Sequence, residues 1–303
     1  MPAPSWPVST LRPADLLSRL PRELRDKIYT DAVDVHGSIG FTEDLLPHVP
    51  PILREDTNLL PEALEILVRT KVFNWNWNNP QVAALESTSV CVNPCDIRQL
   101  DITCSEHLPS FEDSNFEVLN QHEKTYRRTD SRVRWEQLLD FPRLQKLAIY
   151  MQKTGDCSLN TLDFGPIMYA LRARKPDINI TFYLSFDTIL KEYWEDPMWG
   201  NPADAGPGSY KPMGYVEMSD LVAPATQKDL DYVQEYLPRH LNIWRMPGHR
   251  SIKQGLLDET PADRRALAEH YAVQEPALLR YQMREHFELY QKPRESTAEE
   301  TST

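Results

Sequence analysis

The sequence predicts a mixed α/β (α+β) protein with a helical N-terminal segment, a small and largely parallel sheet flanked by helices, and a helical C-terminal part. Three observations carry that prediction. Leu17, Leu20, Leu24 and Ile28 recur at three- and four-residue spacing, the mark of an amphipathic helix. Phe73, Trp75 and Trp77 alternate with Asn74 and Asn76, the period of a half-buried strand. Beyond them, three apolar, branched segments at 97–104, 144–151 and 178–186 each follow a stretch that can be helical, at 80–86, 131–139 and 162–174. Strand after helix, repeated in this way, favours parallel neighbours joined by crossover helices. The repeat is too irregular for a leucine-rich solenoid.

Residues 1–13 carry four prolines and little pattern and read as a flexible arm. Order begins near Asp15, a suitable N-cap, and the stripe from Leu17 continues to Ala32. Arg22, Glu23, Arg25, Asp26 and Lys27 take the other face. Pro21 fits a first helical position, where its missing N–H has no partner to lose. A polar, glycine-containing stretch at 36–48 leads through Pro50 and Pro51 to a second helical region, with Leu53, Leu60, Leu64 and Leu67 on its apolar face and Pro61 restarting it after a turn. The aromatic strand closes a segment assigned to 14–78.

Irregular helix and strand units fill 79–224. Arg172, Arg174 and Lys175, near a helix end, suit the negative end of its dipole. From 187 to 224 the composition changes. Trp194, Trp199, Tyr210 and Tyr215 lie among prolines and glycines, densest at 197–218, and the reading is a long loop that is either a recognition surface or a cover over the sheet edge, the cover being favoured. C-terminal helices are assigned to 225–292. Leu230, Val233, Tyr236 and Leu237 mark one of them, and Thr260, Pro261, Ala262 and Asp263 start another that Pro276 breaks or kinks. Residues 293–303 are polar and patternless, as in a disordered tail.

A net charge of −12 and a pI near 5.2 oppose nucleic-acid binding and docking on an acidic membrane, since both need a basic surface. Arg127, Arg128, Arg132 and Arg134, between Tyr126 and Trp135, form one basic stretch and read as a loop and helix start. Only four cysteines occur, which suits a reducing compartment. The chain shows neither a signal-peptide pattern nor an apolar run of about 20 residues. Cytoplasm or nucleus is the expected location.

Chemistry is sparsely signalled. No dinucleotide fingerprint, P-loop, nucleophile elbow or paired zinc-protease histidines occur. Cys91, Cys95, Cys104 and His107 invite a zinc reading, but a second closely spaced ligand pair is missing, and Cys104 closes an apolar strand as a small hydrophobe. Tyr232, Tyr236 and His240 share a helix face as packing residues, and Glu192, Glu195 and Asp196 read as a solvated face. The expectation is no metal, no cofactor and no catalytic residue.

The opening from Leu16 through Leu20, Pro21, Glu23, Leu24 and Ile28 to Tyr29 resembles the Leu-Pro-x-Glu-Leu-x-x-x-Ile-Tyr opening of fungal F-box-like proteins. The resemblance continues at Pro51, Ile52, Leu53 and Arg54, along Pro61 to Leu67, and at Lys71 to Trp75, so it covers about a quarter of the chain. The chain departs from the family in the insertion at 35–50, and in Asp56, Asn58 and Pro61, where the family carries a basic, uninterrupted helix. The resemblance implies that Leu20, Pro21, Leu24 and Ile28 contact a Skp-type adaptor of a cullin–RING ubiquitin ligase while the rest of the chain captures a substrate. The function expected is therefore a non-catalytic protein-interaction module. Two alternatives stand beside it: a scaffold whose N-terminal helix only packs its own core, and an enzyme without a recognisable motif. Burial separates the first two, because a core stripe is covered and a docking stripe is exposed.

Overall fold

The computed structural model describes residues 13–33, 38–40, 43–77, 94–106, 130–153, 164–189, 210–212, 214–240, 265 and 276–291. The fold is mixed α/β with a largely parallel sheet. The chain divides into two compact units, residues 1–101 with 142–144, and residues 102–141 with 145–303.

In the first unit, α1 (Pro13–Ser18) and α2 (Arg22–Ala32) are separate helices. The single stripe read from Leu17 to Ala32 is thus broken. Pro21 is the cause: with φ −54° and ψ 150° it is extended and serves as the cap residue before α2, not as its first helical residue. Asp15 lies inside α1 and does not cap it. The polar stretch at 36–48 holds a strand that its composition hides, β1 (Ile39–Gly40), with Ile39 fully buried.

Next come α3 (Pro51–Arg54) and α4 (Leu59–Thr70). The backbone N–H groups of Asn58 and Leu59 both donate to Asp56 Oδ1, at 2.8 and 3.1 Å, so Asp56 serves the start of α4. Pro61 sits in the first turn, where proline is tolerated. The buried face of α4 is Leu59, Ala63, Ile66 and Leu67; Leu60 and Leu64, predicted to face inward, are only half-buried. In β2 (Val72–Asn76) the alternation is as predicted: Phe73 and Trp75 are buried and Asn76 is exposed, with Trp77 following edge-on to Trp75 at 5.3 Å. β2 pairs in parallel with β1, Phe73 opposite Ile39.

The chain enters the second unit within β3 (Gln99–Glu106). The predicted helix at 131–139 is α5 (Asp130–Glu136), tightening into a 3₁₀ turn at Gln137–Asp140. β4 (Lys146–Lys153), α6 (Gly165–Arg174) and β5 (Asn179–Ile189) form one crossover unit, with β4 and β5 parallel from Lys146 opposite Asn179 to Lys153 opposite Phe186. Leu147, Ile149 and Met151 lie on the covered face beside Ile180, Phe182 and Leu184. Phe164 bridges that face to α5, with ring centroids 5.6 Å from Phe182 and 4.8 Å from Trp135. The sheet's other face carries stacked Tyr150 and Tyr183, 4.7 Å apart.

The segment at 187–224, predicted as one long loop, is partly regular. β5 runs on to Ile189, and β6 (Tyr210–Pro212) and β7 (Val216–Glu217) pair antiparallel with β5. Its described part therefore lines the edge of β5. α7 (Gln227–His240) and α8 (Pro276–Gln291) follow, and Pro276 begins a helix where a break was read. Arg172 and Arg174 lie in the last turn of α6, where the dipole favours cations, and with Lys175 they donate to the carbonyls of Val222, Leu139 and Phe141, which ties α6 to neighbouring turns. The arm at 1–12, the helix at 80–86, the arginines at 127 and 128, the acidic group at 192–196, the helix start at 260–263 and the tail at 293–303 lie outside the described residues.

Two contacts fix the helical layer. Asp229 accepts from Arg280 of α8 at 2.6 and 3.2 Å and from the backbone N–H and hydroxyl of Thr226, so its carboxyl is held down at about 2, chiefly by Arg280. Gly165 lets α6 approach α8: a Cβ there would stand 2.4 Å from Met283 Cγ and 2.9 Å from Met283 Cβ. Met283 is buried, so it has little room to yield. Gly165→Ala should therefore cost about 1 to 3 kcal/mol of stability. Gly214→Ala, with nothing within 4 Å, should cost far less, and urea unfolding of both variants makes the comparison.

Candidate partner-binding face

The inward side of α2 is polar. Arg25 lays its guanidinium on Glu62 of α4, with Nε 2.8 Å from Oε2 and Nη2 2.7 Å from Oε1. The Tyr29 hydroxyl donates to the same Oε2 at 3.1 Å. Arg22 binds Asp26 at 2.6 Å and Glu65 at 2.9 Å, and reaches Glu62 at 3.4 Å. Arg25 Nη1 also donates to the Leu20 carbonyl at 2.6 Å, which fastens the turn between α1 and α2. Arg22 with Glu65 and Arg25 with Glu62 pair in the order expected of helices running in opposite directions.

Glu62 collects these contacts in the first turn of α4, where the helix dipole favours a carboxylate. Arg25, then Tyr29 and Arg22, hold its carboxyl below the usual range. Burial, and secondly the bond to Glu62, pushes the Tyr29 phenol up to about 12. Tyr29 and Val33 are the residues of this helix and its cap that enter the core.

The apolar side of α2 faces out. Leu24 is 46% exposed and Ile28 36%. Leu24 and Val33 are nine residues apart, about two and a half turns, so they lie on opposite sides of the helix. Of the four residues singled out in the sequence, Leu24 and Ile28 share one exposed face a turn apart, Pro21 is exposed at its start, and Leu20 is half-buried in the turn before it. Leu16 on α1, Leu46 in the 3₁₀ turn at Leu46–His48 and Ile52 on α3 are exposed as well. Among the described residues, five of the six large exposed apolar side chains thus fall in the first unit, on or near its first three helices.

The polar anchor went unread in the sequence, although a signal was present. Arg22 and Arg25 repeat the three-residue spacing of Glu62 and Glu65, which is what two facing helical turns of opposite charge require. For a metal, no group of three His, Cys, Asp or Glu side chains stands together among the described residues. Cys104 is buried in β3, Cys95 is exposed, and Cys91 and His107 lie outside the described residues. No helix among the described residues is long and apolar enough to cross a membrane.

Because Glu62 has a lowered pKa in the fold, its contribution is present above its ordinary value of 4.5 and is lost as pH falls through the lower folded value. Glu62→Gln should therefore melt below the wild type at about pH 7, with the gap closing as pH falls toward about 3. Tyr29→Phe should cost about 1 kcal/mol at neutral pH, the worth of one hydrogen bond. Thermal melts across this range check both.

Compared with models of known protein families, with curated proteins and with solved structures, the chain matches none of them.

Proposed function

We propose that this chain is a non-catalytic protein-interaction module that presents the Leu24 and Ile28 face of α2 to a Skp-type adaptor. In that reading it is a substrate-recognition subunit of a cullin–RING ubiquitin ligase, working in the cytoplasm or nucleus, and the second unit captures the substrate. The observation that carries it is the exposure of Leu24 and Ile28 on a helix held from behind by Arg25, Tyr29 and Glu62. A stripe that only packed its own core would be covered, so the scaffold alternative is the weaker reading. Leu16 on α1 and Ile52 on α3 are further exposed apolar side chains of the same unit.

The exposed position of Leu24 makes the test clean. Leu24→Asp should keep the melting temperature of the wild type within about 0.5 kcal/mol of stability, as surface substitutions do. In a pull-down from an extract, the tagged wild type should bring down a Skp-type adaptor and a cullin, and Leu24→Asp should bring down neither. Equal capture by both proteins, or by neither, removes the ligase reading. Unfolding of Leu24→Asp would restore the scaffold reading.

A further inference from the structure

Beside the apolar face runs a row of charges that the fold leaves unused. Glu23, Lys27 and Asp31 on α2 are spaced four apart, alternate in sign and are all exposed. Residues four apart on a helix are neighbours, so Glu23 and Lys27, or Lys27 and Asp31, are placed to pair within α2. They do not: among the described residues none of these three side chains makes a hydrogen bond or ion pair, whereas Arg22, Arg25 and Asp26 on the inward side all do.

The row is self-complementary in one orientation. Glu23 and Lys27 lie symmetrically about position 25. A second copy of α2 laid antiparallel, with its twofold axis near that position, sets Glu23 against Lys27 twice by symmetry. The same placement sets Leu24 against its counterpart and beside Ile28 of the other copy. A parallel arrangement sets like charges level and is disfavoured.

We propose that two copies of this chain associate through antiparallel α2 helices, burying Leu24 and Ile28 between flanking charge pairs. The contact uses the face assigned above to the adaptor and does not depend on that assignment. It makes the face self-masking: a copy bound to a copy has no α2 to offer, so the free module is released by dilution or by a tighter partner. With one short helix as its centre, the contact is weak.

Sedimentation velocity on the full chain, from about 0.01 to 1 mM, tests it. The wild type should move from the 35.1 kDa monomer toward a dimer. Lys27→Glu, which places like charges opposite each other twice, should weaken association about tenfold or more, and Glu23→Lys, which does so with the opposite sign, should weaken it as a second, independent variant. Glu23→Lys combined with Lys27→Glu exchanges the charges and should restore the dimer. The exchanged variant separates a specific antiparallel contact from general stickiness of the leucines. A wild type that stays monomeric throughout overturns the proposal, as does a Lys27→Glu protein that dimerises like the wild type or a charge exchange that fails to recover association. Adaptor capture and self-association are read in separate experiments, so either can fail while the other stands.

Discussion

The first unit turns on the Glu62 carboxylate. A helix normally holds its place by burying an apolar stripe, and α2 buries little beyond Tyr29 and Val33. Arg25 binds Glu62 with two nitrogens, Tyr29 adds a hydroxyl, and Arg22 links Glu62 to Asp26 and Glu65. Direction matters in such a set. The planar fork of Arg25 accepts one orientation of α2 on α4, and that orientation sends Leu24 and Ile28 outward. An apolar seam would tolerate small rolls of the helix, whereas a two-nitrogen contact does not. The ions themselves add little net stability at a partly exposed site; what they contribute is the angle of the helix.

The second unit is held in a more ordinary way. The β4 and β5 pair buries one face beneath Phe164 and Trp135, and α8 sits on α6 closely enough that Gly165 has no space for a methyl group. Asp229 and Arg280 join the two C-terminal helices by an ion pair whose carboxylate is nearly excluded from solvent. A frame of this kind can carry exposed segments without yielding to them.

How much of this the sequence revealed depends on whether a signal was local. β2 was legible because three aromatics and two asparagines alternate over five positions, a pattern only a strand satisfies. β4 and β5 were legible as apolar, branched runs after helical stretches. Ile39 was not, because a two-residue strand has no period to read. In α2 the period is legible and the burial is not: the leucines mark one side of a helix, and periodicity alone leaves open whether that side is covered or exposed. The deciding information lies 37 residues away in Glu62, and its trace in the sequence is the matched spacing of Arg22 and Arg25 with Glu62 and Glu65, which no local pattern joins. Pro21 was placed one position too late for the same kind of reason, since its ring fits both the first helical residue and the extended residue before it.

The exposed face then sets its own energetic terms. Burying a whole leucine or isoleucine side chain yields about 1.5 to 3 kcal/mol, and Leu24 and Ile28 are already more than half covered, so each retains about 1 kcal/mol to gain. Two copies meeting through these residues gain about 4 kcal/mol from apolar burial, close to the lower bound of what association costs. Charge pairs of exposed residues add tenths of a kcal/mol each. Self-association on this face is therefore weak by construction, and its charges decide orientation more than strength. A partner that also covered Leu16, Leu46 and Ile52 would gain more apolar area per molecule than a second copy does through α2 alone, and would displace it without any change in the fold. The same arithmetic explains why the polar anchor behind α2 matters to function. If α2 rolled to bury Leu24 and Ile28 against its own unit, the gain would be of the same size as the partner's, and the Arg25 to Glu62 contact is what stands against that roll.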